Sequence, residues 1–214
     1  MGKLISSLFV ASDEQTMRRV KLHDDPQAFA RLVTRWEKPI QRLCARMTGD
    51  PHRAEDLTQT AFARVFARRA NWEASGRFST FLWRIALNLC YDDLRQTQRR
   101  GECSFDGLEE EKNRHDEQFV ADEPSPHAQA DARERGELVR EALLKLSPPY
   151  REVVVLRHYE GLKFHEIAEL LGIPEGTAKS RMAEALTQLN RLLRNLNEDT
   201  PCNHKNQRLE LPVL

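Results

Sequence analysis

Apolar positions recur at three- and four-residue steps along most of this chain, the period of helices that bury one face. Between residues 25 and 48, Phe29, Leu32, Val33, Trp36, Ile40, Leu43 and Met47 form one such stripe, with Pro39 inside it as a predicted break or kink. Gly49, Asp50 and Pro51 predict a turn. A second helix is predicted from about Arg53 to Ala70, with Leu57, Ala61, Phe62, Val65 and Phe66 inward. After the polar break "NWEASGRFS", a third starts with Ser79 or Thr80 as its cap and buries Phe81, Leu82, Ile85, Leu89 and Leu94.

The pattern then lapses. From Gly101 to Asp131 acidic residues outnumber Lys and Arg ten to two, Pro124 and Pro126 sit close together, and few large apolar residues are available to bury. That composition predicts a flexible acidic linker. Periodicity resumes with Leu138, Ala142 and Leu146, breaks at Ser147-Pro148-Pro149, and returns in Val153, Val154, Leu156 and Tyr159 up to Gly161. The expected fold class is therefore all-α. Two small helical domains, 1–100 and 134–196, are joined by a linker at 101–133 and followed by a tail at 197–214.

The closing stretch "EIAELLGIPEGTAKSRMAEALTQL" holds two helices with almost nothing between them. Gly172 can take the left-handed conformation that ends the first, Ile173 can plug the angle, and Pro174 begins the next with its backbone angle already set. Helices joined this way cross steeply, as in a helix-turn-helix. On a helical wheel Ala178, Met182, Ala185, Leu186 and Leu189 fall inward. Thr177, Ser180, Arg181, Glu184, Gln188 and Arg191 fall outward, with Lys179 beside them. Such an outer face carries donors suited to base edges and phosphates, and Glu184 could accept from cytosine or pair with a neighbour.

Bulk properties add little and exclude some classes. The chain has 214 residues, 40% of them apolar, and Lys plus Arg equal Asp plus Glu at 33 each, so the distribution of charge matters more than its sum. Cys44, Cys90, Cys103 and Cys202 are too dispersed for a disulfide framework, and Cys202 with His204 lacks a second ligand pair. The apolar run near the N-terminus lacks a signal-peptide core and cleavage site, and no run reaches the roughly 20 apolar residues of a membrane helix, so a cytoplasmic protein is expected. His158 and His165 have no convergent partner. No metal, cofactor or catalytic activity is expected.

The stretch "LSPPYREVVVLRHYEGLKFHEIAELLGIPEGTAKSRMAEALTQL" resembles region four of bacterial sigma factors, in the extracytoplasmic-function subgroup. Leu146, Pro148, Arg151, Gly161, Glu166, Ile167, Ala168, Leu171, Gly172, Thr177, Lys179, Ser180 and Arg181 carry the likeness. Independently, "HRAEDLTQTAFARVFARR" resembles region 2.2 and "FSTFLWRIALNLCYDDLRQTQRR" regions 2.3 and 2.4. Thr60 departs from the glutamate usual in the family, and Met182-Ala183-Glu184 from a more basic run.

The resemblance implies a factor that binds core RNA polymerase and directs it to promoters. Glu55, Asp56, Gln59, Thr60 and Arg64 would meet the clamp coiled coil of the beta-prime subunit, and the second domain the flap of the beta subunit. Asn71, Arg77, Phe78, Arg84, Asn88, Arg95, Arg99 and Arg100 would recognise and melt the minus-ten element. Thr177, Lys179, Ser180, Arg181 and Glu184 would read the minus-thirty-five element, with Arg151 and Arg157 on phosphates. An anti-sigma factor is a further partner the resemblance allows. Two other readings of the same features are a helix-turn-helix regulator and a polymerase-binding inhibitor without initiation activity.

Overall fold

The computed structural model describes residues 11–73, 76–103 and 126–199, and these are helical throughout apart from turns. Helix α1 (Asp13–His23) lies where no helix is expected from the apolar stripe. Its start is a capping box: the Ser12 hydroxyl accepts from the Gln15 N–H at 3.2 Å, and the Gln15 side chain accepts from the Ser12 N–H at 3.3 Å. Its Met17 and Val20 are fully buried.

Helix α2 (Pro26–Thr48) runs uninterrupted through Pro39 and buries Leu32, Ile40, Leu43 and Met47. The missing Pro39 N–H removes one ladder bond, which a helix of 23 residues packed on both sides absorbs. Gly49, at φ +83°, ends α2, and the Asp50 carboxylate caps α3 (Pro51–Ala67) by accepting from the His52 and Arg53 N–H groups. A single 3-10 turn, Arg69–Asn71, follows. Helix α4 (Phe78–Cys103) begins earlier than Ser79 or Thr80, so neither residue caps it; the Phe78 N–H is instead accepted by Glu14 of α1 at 3.3 Å.

In the second half, α5 (Pro126–Lys145) starts ahead of the expected boundary, within the stretch read as linker. The acidic residues between 104 and 125, the N-terminal apolar run and the tail beyond 199 lie outside the described residues. Ser147 precedes α6 (Pro148–Val154) without a side-chain cap, and a wider π turn, Val155–Tyr159, continues it to Gly161 at φ +69°. Helix α7 (Phe164–Leu171) ends at Gly172, whose φ of 66° and N–H bond to the Ala168 carbonyl form the expected left-handed stop. Ile173 donates to the same carbonyl at 3.0 Å, and α8 (Glu175–Asp199) starts at once. The helix-turn-helix is α7 and α8.

The domains are not held apart. One buried apolar cluster runs from Met17 and Leu43 in the first half to Leu146, Leu156 and Ile167 in the second. At the end of α2 a Cβ on Gly49 would stand 2.8 Å from Leu144 Cδ1, so α5 packs directly on that glycine.

Candidate nucleic-acid interface

Helix α3 presents Glu55, Asp56, Gln59 and Thr60 to solvent on one face, while Ala54, Thr58, Ala61 and Phe62 are buried on the other. Those four form a contiguous exposed patch. Arg64 does not belong to it. Half-buried, it lines a groove of about 400 Å³ between α3 and α4 together with Arg68, Asn88, Tyr91, Asp92 and Arg95. The groove joins an amide, a half-buried phenol ring and three guanidinium groups, and its carboxylate, Asp92, is 3.8 Å from Arg95. Arg99 and Arg100 continue exposed along α4.

Sequence reasoning missed Arg68 and Tyr91. Their signal was position. Arg68 lies one turn beyond Arg64, and Tyr91 lies three residues after Asn88, on the same flank of the helix.

Phe78 is fully buried, with its ring edge-on to Trp36 at 6.3 Å, so it is part of the core and cannot stack on a base. Trp83 is also buried and packs edge-on to Trp36, at 5.6 Å. Asn71 is exposed at the end of its 3-10 turn. Arg77 is exposed and ion-paired with Glu166 at the start of α7. That pair and the Lys163 N–H hold the Glu166 carboxyl below the usual range, the N–H contributing most. Arg84 donates from Nε to the Leu170 carbonyl at 3.2 Å and from Nη2 to the Glu169 carbonyl at 3.0 Å.

On α8, Ser180 is exposed and its hydroxyl donates to the Thr177 carbonyl at 3.0 Å; Thr177 is half-buried. Lys179 is exposed and pairs with Glu175 at 2.7 Å. Glu184 accepts from the Gln188 amide at 2.8 Å, a neutral partner that leaves its charge on the outer face. Leu186, expected inward, is 41% exposed. Arg181 is part-buried, 3.2 Å from Glu152, whose second oxygen accepts from the Tyr91 hydroxyl at 2.6 Å. Burial pushes the Glu152 carboxyl above the ordinary range, although Tyr91 and Arg181 both act to lower it.

Two expected phosphate contacts turn out to be structural. Arg151 is buried, and its guanidinium fans onto the carbonyls of Leu143 (3.1 Å), Leu146 (2.9 Å), Leu144 and Met47. It closes the C-terminal end of α5, where a helix leaves carbonyls without partners, and ties it to α2. Arg157 donates to the Leu162 carbonyl at 3.1 Å and lies over the Phe164 ring at 5.2 Å, fixing the turn before α7.

No helix among the described residues is long and apolar enough to cross a membrane, and no cluster there could hold a metal ion. Sigma-70 region 2 matches residues 32–100, and Sigma-70, region 4 matches residues 136–189. The ECF RNA polymerase sigma factor SigW of Bacillus subtilis (strain 168) is 35% identical over 172 residues, covering 80% of this chain and 92% of the relative. SigE, another ECF RNA polymerase sigma factor, from Mycolicibacterium smegmatis, is 37% identical over 158 residues, covering 74% of this chain and 58% of its own length. The fold is similar to that of CnrH in complex with the cytosolic domain of CnrY, at a TM-score of 0.63 and 21% identity, over 89% of this chain and 100% of that one.

Proposed function

The chain belongs to the extracytoplasmic-function (ECF) RNA polymerase sigma factors, and from this we propose how its surfaces divide the work of promoter-directed transcription. It makes and breaks no bonds of its own; what it contributes is binding. The exposed patch of Glu55, Asp56, Gln59 and Thr60 on α3 docks the clamp coiled coil of the beta-prime subunit, and the second domain docks the flap of the beta subunit. The groove between α3 and α4 takes minus-ten DNA. Asn88 faces a base edge there, Tyr91 offers a ring to an unstacked base, and Arg64, Arg68 and Arg95 meet phosphates. Arg64 thereby moves from the polymerase surface to the DNA surface. Thr177, Lys179, Ser180 and Arg181 on α8 read the minus-thirty-five element. Glu184 limits the helix's general attraction for phosphate and favours a few specific contacts. The protein works in the cytoplasm, and an anti-sigma factor is part of the same reading.

The observation that carries this proposal is the order and separation of two surfaces: an exposed polar patch on α3, and a helix-turn-helix more than a hundred residues later. The test is in vitro transcription with purified core polymerase on genomic fragments, followed by mapping of start sites. Initiation from a discrete set of promoters is expected. Polymerase binding without initiation would make the chain an inhibitor, and duplex binding without polymerase binding would make it a helix-turn-helix regulator. Either result overturns the proposal.

A further inference from the structure

Helix α1 makes a set of contacts that the division of surfaces above does not use. It is moored to the start of α2. The Asp13 carboxylate accepts from the Trp36 indole N–H and from Arg35, each at 3.0 Å, and Arg19 pairs with Asp25 at 2.7 Å. Met17 and Val20 bury its inner face. From that base α1 reaches both ends of the connection between α3 and α4. The Lys21 ammonium donates to the Trp72 carbonyl at 2.7 Å. Asp24, in the left-handed conformation that ends α1, pairs with Arg69. At the far end, Glu14 accepts at 3.3 Å from the Phe78 N–H, one of the donors that the start of a helix leaves without a partner. Burial raises the Glu14 carboxyl, but its backbone hydrogen bonds and the Arg77 guanidinium outweigh this and hold it below the usual range.

Trp72 and Phe78, whose backbones α1 grips, are buried aromatic anchors. Asn71 stands exposed beside the first, and Arg77 exposed beside the second. We propose that α1 is a positioning element for promoter opening: Lys21 and Glu14 hold the two ends of the α3–α4 connection so that Asn71 and Arg77 meet the unpaired minus-ten strand already in place. The proposal rests on the minus-ten role given to the first domain. Both grips fall on backbone atoms, so they fix the path of the chain rather than one side chain. Both come from charged groups, which make the stronger hydrogen bonds. A connection ordered in advance loses less freedom when the strand binds, and so binds it more tightly. Lys21 and Glu14 themselves touch no DNA in this arrangement.

The test compares Lys21→Met, Lys21→Arg, Glu14→Ala and Arg19→Ala, the last removing an α1 ion pair that does not touch the connection. In the full chain alone, amide hydrogen exchange should quicken about tenfold at Asn71 and Trp72 in Lys21→Met, and at Phe78 in Glu14→Ala, the factor that one charge-assisted hydrogen bond carries. Arg19→Ala should exchange there at the wild-type rate. Opening is then read with core polymerase, on a promoter mapped by the transcription assay and carrying 2-aminopurine in its minus-ten region. Lys21→Met and Glu14→Ala should each lower the opening equilibrium up to about tenfold while binding core polymerase as wild type does. Lys21→Arg, which keeps the donor, should recover most of the loss. If α1 only stabilised the domain, Arg19→Ala would open as poorly as Lys21→Met. That result overturns the proposal, as does wild-type exchange or wild-type opening in both Lys21→Met and Glu14→Ala. If one of these two fails to fold, the other, which releases the opposite end, carries the test. Exchange needs neither polymerase nor promoter, so a wild-type chain that opens no DNA counts against the function proposed above and leaves exchange to decide this inference.

Discussion

Replacing Arg151 by alanine separates two roles that an arginine at this place could have. As a phosphate contact, it would be dispensable to the fold. As the structure places it, four carbonyls depend on it, three belonging to the end of α5 and one to Met47 of α2. A hydrogen bond from a charged donor contributes about 1.5–3 kcal/mol, and a buried acceptor left unpaired costs about 1–3 kcal/mol. Against this stands the cost of burying a guanidinium, which depresses its pKa here. Alanine relieves that cost and strands the acceptors. A net loss of about 3–5 kcal/mol follows, a large share of the roughly 5–15 kcal/mol that holds an ordinary domain.

Urea unfolding followed by circular dichroism measures this directly, as a drop in the midpoint. Arg151→Lys should recover little of the loss, because one ammonium cannot fan onto four acceptors as a planar guanidinium does. The reasoning is refuted if Arg151→Ala unfolds within about 1 kcal/mol of wild type while its duplex affinity falls and its salt slope drops by about one unit.

Arg64→Ala and Arg68→Ala should each lower the salt slope of DNA binding by about one unit while core-polymerase affinity stays at the wild-type value; a loss of polymerase binding would return Arg64 to the surface it was first expected on. Gly49→Ala should destabilise by about 1–2 kcal/mol in a thermal melt, because φ is +83° and the added carbon meets Leu144. For Glu152, burial raises the folded pKa, so its contribution is fully present below the ordinary glutamate range and is lost as pH rises through the raised value. Urea midpoints from pH 4.5 to 7 should therefore shift in favour of Glu152→Gln over wild type as pH rises; an opposite trend would mean that Tyr91 and Arg181 outweigh burial.

The helix-turn-helix was legible because its geometry depends on residue type at few places: a glycine that alone takes φ 66° easily, then Ile173 and Pro174. The exposed α3 patch was legible because its apolar stripe is clean. Helix α1 was not, since only Met17 and Val20 mark its buried face, although the Ser12–Gln15 spacing of a capping box was present. Arginine destinations were the least legible. Phosphates and helix-terminal carbonyls ask for the same side chain, so residue type cannot separate them. Periodicity could have done so for Arg151, which stands three and four residues before the buried Val154 and Val155 and thus on the inward stripe. Phe78 misled in the converse way: aromatic residues serve stacking and core alike, and only the packing of Trp36 against it decides.

Arg84 shows how one side chain can serve both the closed protein and DNA. The C-terminal carbonyls of a helix together carry about half an elementary negative charge, whereas a backbone phosphate carries a whole one. In Glu169 and Leu170, Arg84 thus meets a weaker copy of the surface expected for it on the promoter. The weaker copy can win because it is tethered: domains of one chain meet at effective concentrations in the millimolar range. Free DNA at micromolar concentration is then short by about 4 kcal/mol, a gap that closes when polymerase holds the DNA beside the first domain. Arg84 uses Nε and Nη2, adjacent donors on one edge of a plane, to reach two successive carbonyls. Lysine keeps the charge and loses that two-point fit. Arg84→Lys should therefore expand the free chain in small-angle scattering while leaving the salt slope of duplex binding at least as steep as in wild type. A variant that stays compact, or whose slope falls by one unit, would show that charge alone closes the molecule or that Arg84 contacts phosphate only as a guanidinium.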